Sequence, residues 1–234
     1  MKILVISDLH LCDIRHKNIS DGIRLEKLAK FIASSDADAV LNLGDTVSRK
    51  PLLTESCLED GFKMYLAWRN KLDVPFFECA IGREFSFFEN LMGVPPDLLT
   101  ELSDNAAIIT MAPQADNDHS FLPGQLEFLT DALNRCREKT VVIGTHIPFP
   151  GSCSREDKPG TFLEIPADFK KFLVSFPGRI IWCGGHFHWY QEQPATTGSL
   201  TALYASRFQL ADEGSYSSII DTDSGSINFI NLDF

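Results

Sequence analysis

The sequence predicts an α/β domain, and three observations carry that prediction. β-Branched apolar runs alternate with amphipathic helical stretches as far as Gly185. From Leu200 onward the apolar runs are short, are parted by Gly, Ser and Asp, and have no helix between them. Polar residues able to bind ligands recur just after the predicted strands, the edge where α/β sheets collect ligands.

The elements follow in order. "KILVIS" (2–7) reads as a buried strand. "SDGIRLEKLAKFIASS" (20–35) is a helix with Leu25, Leu28 and Ile32 on one face and Ser20 as its N-cap. "ADAVLNLGD" (37–45) is the second strand. A helix spans residues 57–72, with Ser56 and Glu59 as a capping box and Leu58, Phe62, Tyr65 and Leu72 on one face. "VPFFECAIG" (74–82) and "NAAIITMA" (105–112) are strands. Pro123 takes the first position of a helix, with Leu122, Leu126, Leu129 and Leu133 in register. "KTVVIGTH" is a strand, 166–175 a short helix and "GRIIWCGG" a strand. "SLTALYAS", "SYSSIIDT" and "SINFINLD" complete the chain as an antiparallel meander.

With 234 residues, 44% of them hydrophobic, the chain suits one domain spanning 1–234; no repeat or linker divides it. The formal charge of −11 argues against general nucleic-acid or anionic-membrane binding, although metal ions in a pocket could still hold a phosphate ester. Six cysteines, none in a C-x-x-C pair, read as buried hydrophobes of a reducing compartment. No apolar run approaches 18 residues, so the expectation is a soluble, cytoplasmic protein without a membrane partner.

The ligand-type residues are Asp8 and His10 after the first strand, Asp45 after the second, His146 in "VVIGTHIP", and His186 and His188 in "WCGGHFH". Taken singly, Asp45 could be a turn residue and His146 a core histidine. Together, carboxylates and imidazoles suit divalent transition metals such as Mn, Fe, Zn or Ni. Residues two apart on an extended segment project from one side, so His186 and His188 can serve a common site. His16 and His119 read as loop residues. Trp189 and Tyr190 could stack on a base or sugar, but core packing is the default for them.

The series D-x-H (Asp8, His10), G-D (Gly44, Asp45), a strand ending in Gly82, T-H-x-P (His146, Pro148) and G-H-x-H (Gly185, His186, His188) resembles the calcineurin-like metallophosphoesterase family. The resemblance runs from residue 3 to about residue 232. It implies a four-layer αββα sandwich of two mixed sheets flanked by helices. It also implies one or two divalent metal ions as cofactors, and hydrolysis of a small phosphodiester or phosphomonoester by a metal-activated hydroxide. Carried over residue by residue, it puts Asp8, His10, Asp45 and His188 on one metal. Asp45, His146 and His186 fall on the other, with the Asp45 carboxylate bridging.

One motif departs from the family. Where it has G-N-H-[D/E], this chain has Gly82-Arg83-Glu84-Phe85. Arginine has no lone pair to offer a metal, and a guanidinium ~4 Å from a cation is repelled by about 4 kcal/mol per unit charge at an effective dielectric near 20. Three readings stay open. Arg83 acts as a catalytic residue on the substrate phosphate, or Glu84 becomes a replacement ligand, or the two pair and the second site stays empty. The last would make the chain a degenerate binding or scaffold module, the rival to an enzyme.

Overall fold

The computed structural model describes residues 1–12, 20–48, 55–81, 88–93, 95–112, 119–152, 162–187, 194–204 and 215–232. Eleven strands among them form two sheets: β1 (Lys2–Ile6), β2 (Ala39–Asn42), β3 (Phe76–Glu78), β4 (Leu98–Ser103), β5 (Ala106–Thr110), β6 (Thr140–Gly144), β7 (Arg179–Gly184), β8 (Ala195–Thr197), β9 (Leu200–Tyr204), β10 (Ser215–Asp221) and β11 (Ile227–Leu232). The first sheet runs β11-β10-β1-β2-β3 and the second β4-β5-β6-β7-β9-β8. Both are mixed: β1-β2-β3 and β5-β6-β7-β9 pair in parallel, and the remaining neighbours pair antiparallel.

The period-2 alternation of β1 explains the layering. Ile3 and Val5 point between the sheets, where they meet Leu41, Leu43, Ile108, Val142, Ile181, Cys183 and Leu203. Leu4 and Ile6 point the other way, onto Leu25, Leu28 and Ile32 of α1 (Asp21–Ser34) and Tyr65 of α2 (Glu55–Arg69). On the far side, Leu129 and Leu133 of α3 (Gln125–Arg135) and Leu173 of α4 (Ala167–Val174) cover Ile109, Val141, Ile143, Ile180 and Trp182. The result is helix, sheet, sheet, helix, as the resemblance implies.

Ser20 caps α1, its hydroxyl accepting from the Ile23 N–H at 3.4 Å. Helix α2 starts at Glu55, one residue before Ser56, and the Ser56 side chain lies outside the described residues. Pro123 stands before the cap of α3, not at its first position. Gly124, at φ 84°, turns the chain in, and the Gln125 side chain accepts from the Leu122 N–H at 2.9 Å. The tail is not one meander. β9 lies parallel to β7 in the second sheet, whereas β10 and β11 join the first as a hairpin beside β1. β4, β8 and a π-helical turn at Phe88–Met92 have no counterpart in the sequence reading.

Candidate metal centre

Four loops at the carboxyl ends of β1, β2, β6 and β7 bring Asp8, His10, Asp45, His146 and His186 together. Donor atoms of Asp8, Asp45 and His146 all lie within 4.8 Å of one another. The His10 Nε2 is 3.4 Å from Asp45 Oδ2 and 3.7 Å from Asp8 Oδ1. The His146 Nε2 is 4.0 Å from Asp8 Oδ1 and 3.3 Å from His186 Nδ1. Two nitrogens bound to one ion at ~2.1 Å with tetrahedral angles stand about 3.4 Å apart, so the closer of these spacings match those of groups sharing an ion. Mixed carboxylate and imidazole donors also match the Mn, Fe, Zn or Ni class.

The backbone explains how the donors converge. Beyond β1 and β2 the main chains stay joined. The Asp8 N–H donates to Gly44 O at 3.0 Å, the His10 N–H to Asp45 O at 3.0 Å, the Leu11 N–H to Thr46 O at 2.9 Å and the Ser48 N–H to Leu11 O at 2.7 Å. Asp8 (φ 54°), His10 (φ 45°), Asp45 (φ 51°) and His186 (φ 81°) all adopt the left-handed region. That region is unfavourable for side-chain-bearing residues by about 1–3 kcal/mol each, and such strain gathers at functional sites. Gly185 is required by space. A Cβ there would fall 2.0 Å from Ser7 Oγ and 2.8 Å from Asp8 Oδ2.

Hydrogen bonds orient the donors. The Asp8 Oδ2 accepts from Ser7 Oγ–H at 2.5 Å and from the His186 N–H at 3.1 Å, with Oδ1 on the side of the imidazoles. The His146 Nδ1 donates to the Leu43 carbonyl at 3.1 Å, which leaves the Nε2 lone pair for a ligand role. Burial and the neighbouring His146 push the His186 pKa down to about 4, so its imidazole is neutral at physiological pH. Asp8, His10, Asp45 and His146 are all buried. His188, Arg83 and Glu84, with Gly82, lie outside the described residues.

One residue near the site escapes the sequence reading. His119, read above as a loop residue, is buried, and its ring meets that of His186 edge-on with centroids 5.7 Å apart. Nothing in "QADNDHS" marks it. Its carbonyl accepts from the Glu164 N–H at 2.9 Å, a contact made by a distant segment.

A family model described as calcineurin-like phosphoesterase matches residues 1–190. No curated protein matches the sequence. Among solved structures, a purple acid phosphatase from yellow lupin (Lupinus luteus) seeds superposes with a TM-score of 0.61 at 11% identity, over 97% of this chain and 52% of that one. A protein assigned as a 5′-nucleotidase from Staphylococcus aureus gives 0.60 at 12% identity, over 98% and 52%. The phosphopantetheinyl hydrolase of Mycobacterium tuberculosis gives 0.50 at 13% identity, over 88% and 89%. The chain thus spans about half the length of the first two. At these identities the likeness speaks for the two-sheet fold, and the family model supplies what the fold alone does not. The chain belongs to the calcineurin-like phosphoesterase family.

Proposed function

We propose that this chain is a metal-dependent hydrolase of a small phosphodiester or phosphomonoester. The observation that carries the reading is the convergence of five donor side chains from four loops, four of them on left-handed backbone. Asp8, His10, Asp45, His146 and His186, with His188, are the residues that would hold one or two divalent ions. Ions held there would acidify a water and draw charge from the phosphoryl oxygens.

The chain's own part is to orient and exclude. Ser7 and the His186 N–H fix one oxygen of Asp8, and the Leu43 carbonyl fixes the His146 tautomer. Burial keeps His186 neutral and able to donate its lone pair. Arg83, one residue past Gly82, would supply a guanidinium to the substrate phosphate. The charge of −11 favours a small substrate over a nucleic acid. No helix among the described residues is long and apolar enough to cross a membrane.

Arg83-Glu84 in place of the family's Asn-His favours a second reading, a degenerate module that binds without turnover. Metal content and hydrolysis of bis-p-nitrophenyl phosphate with added Mn²⁺ separate the two. The enzyme reading expects Mn²⁺-dependent turnover that disappears, together with the metal, in Asp8→Ala. Turnover surviving in metal-free Asp8→Ala protein refutes it; metal binding without turnover on any phosphate ester supports the module.

A further inference from the structure

The segment from Ser7 to Cys12 carries two candidate ligands and three left-handed residues: Asp8, His10 and Cys12. Such a segment needs external bonds to hold it. On one side it has the main-chain ladder to residues 44–48. On the other it has helix α1, where Leu9 and Leu11 join the apolar cluster of Leu25, Leu28 and Ile32 and a polar bridge is added to that packing.

Arg24 is buried at 1% exposure on the helix face shared with Leu25, Leu28 and Ile32. Its Nη2–H donates to the Leu9 carbonyl at 2.5 Å, and its Nη1–H to Asp21 Oδ1 at 3.0 Å. The other oxygen of that carboxylate accepts from the Cys12 N–H at 2.6 Å. Leu9 carbonyl, Arg24, Asp21 and Cys12 amide therefore form one bridge whose two feet straddle His10. Packing alone does not call for this arrangement. A buried ion pair is often no more stabilising than apolar residues of similar volume, and an apolar side chain would continue the helix's buried face. A guanidinium adds direction, because its rigid planar fork holds the Leu9 carbonyl on one nitrogen and the Asp21 carboxylate on the other.

We infer that Arg24 and Asp21 are positioning residues, which hold the left-handed Asp8–Cys12 backbone so that the Asp8 carboxylate and the His10 imidazole meet at ligand spacing. The inference rests on the metal-site reading above. Neither residue is a ligand; both act through the loop's main chain.

The test is Mn²⁺ titration of the metal-free full chain, with free ion read by electron paramagnetic resonance and Tm measured alongside. The variants are Arg24→Met, Arg24→Lys, Asp21→Asn and, as a control, Ile32→Ala on the same helix face. Arg24→Met and Asp21→Asn are expected to raise the Mn²⁺ Kd by about 10- to 100-fold, the range seen when groups that orient metal ligands are removed. Asparagine keeps the shape of Asp21, but its amide nitrogen must face either Arg24 or the Cys12 N–H, both donors. Arg24→Lys is expected not to rescue, because one ammonium lacks the fork that reaches both partners. Ile32→Ala should lower Tm and leave the Kd alone.

The inference is overturned if Asp21→Asn and Arg24→Met bind Mn²⁺ as the parent does. It is equally overturned if Ile32→Ala raises the Kd as much as they do. Should Arg24→Met fail to fold, the isosteric Asp21→Asn decides. A parent that binds no Mn²⁺ defeats the metal-site reading and this inference together, whereas a binding parent with indifferent variants defeats this inference alone.

Discussion

Gly185→Ala tests whether the loops of the two sheets meet as tightly as the structure shows. The added methyl would stand 2.0 Å from Ser7 Oγ, 2.8 Å from Asp8 Oδ2 and 3.1 Å from Ser7 Cβ, where ordinary contacts begin at 3.4 Å. Ser7 Oγ must therefore retreat by 3.4 − 2.0 = 1.4 Å and Asp8 Oδ2 by 3.4 − 2.8 = 0.6 Å. The first movement breaks the 2.5 Å bond between them. A hydrogen bond to a charged group contributes about 1.5–3 kcal/mol. Overpacking commonly costs about 1–3 kcal/mol, and the two effects overlap, so roughly 3 kcal/mol is expected in all. For a chain of this size each kcal/mol moves Tm by about 2–4 °C, which gives a fall of roughly 6–12 °C by differential scanning calorimetry. Ser7→Ala alone should lose only the hydrogen bond. The double variant should lose less than the sum, because Ser7 Oγ is both the clash and the bond. The Mn²⁺-induced rise in Tm should also shrink, since the displaced carboxylate is a candidate ligand. A Gly185→Ala protein that melts with its parent and responds equally to Mn²⁺ refutes the reasoning.

Two further predictions concern Arg83 and the tail. If the Arg83 guanidinium contacts the substrate phosphate, Arg83→Ala should lose about 2–4 kcal/mol of transition-state stabilisation, read as a fall in kcat/KM. Arg83→Asn should instead raise metal occupancy at the His146–His186 side; a parent that already holds two ions tightly, with Arg83→Ala unimpaired, defeats that role. Removing Leu200–Phe234 should yield insoluble protein, because it strips β9 from beside β7 and β10 from beside β1, together with the buried Leu203 and Ile220. A soluble, cooperatively unfolding 1–199 fragment would show that residues 1–234 are not one domain.

What the sequence makes legible follows from which signals are local. β1, β2, β6 and β7 announce themselves as apolar β-branched runs, and Asp8, His10, Asp45, His146 and His186 follow those runs directly. β4 is hidden because "LLTELS" alternates poorly, with Leu98 and Leu99 adjacent and Thr100 only partly buried. Its strand character comes from pairing with β5. The split of the tail between two sheets is a matter of which edge each strand finds, and alternation cannot encode that. His119 and Arg24 escape for a related reason. His119 is brought to His186 by a contact across the molecule, and Arg24 sits among leucines where periodicity leads one to expect another apolar residue.

The two sheets face each other through aliphatic side chains, which attract without direction and would tolerate sliding. At the site, directional bonds cross from one sheet to the other: His146 Nδ1–H to the Leu43 carbonyl, and the His186 amide to the Asp8 carboxylate. Asp8, His10 and Asp45 belong to one layer, His146 and His186 to the other. The alignment of the layers and the spacing of the donors are therefore a single coordinate. A change of volume at Leu41 or Val142, deep in the seam and remote from any substrate, would retune the donor spacing as a shim retunes a hinge. An ion seated among the donors would in turn lock the seam from above, so the chemistry of the rim and the rigidity of the core are set together.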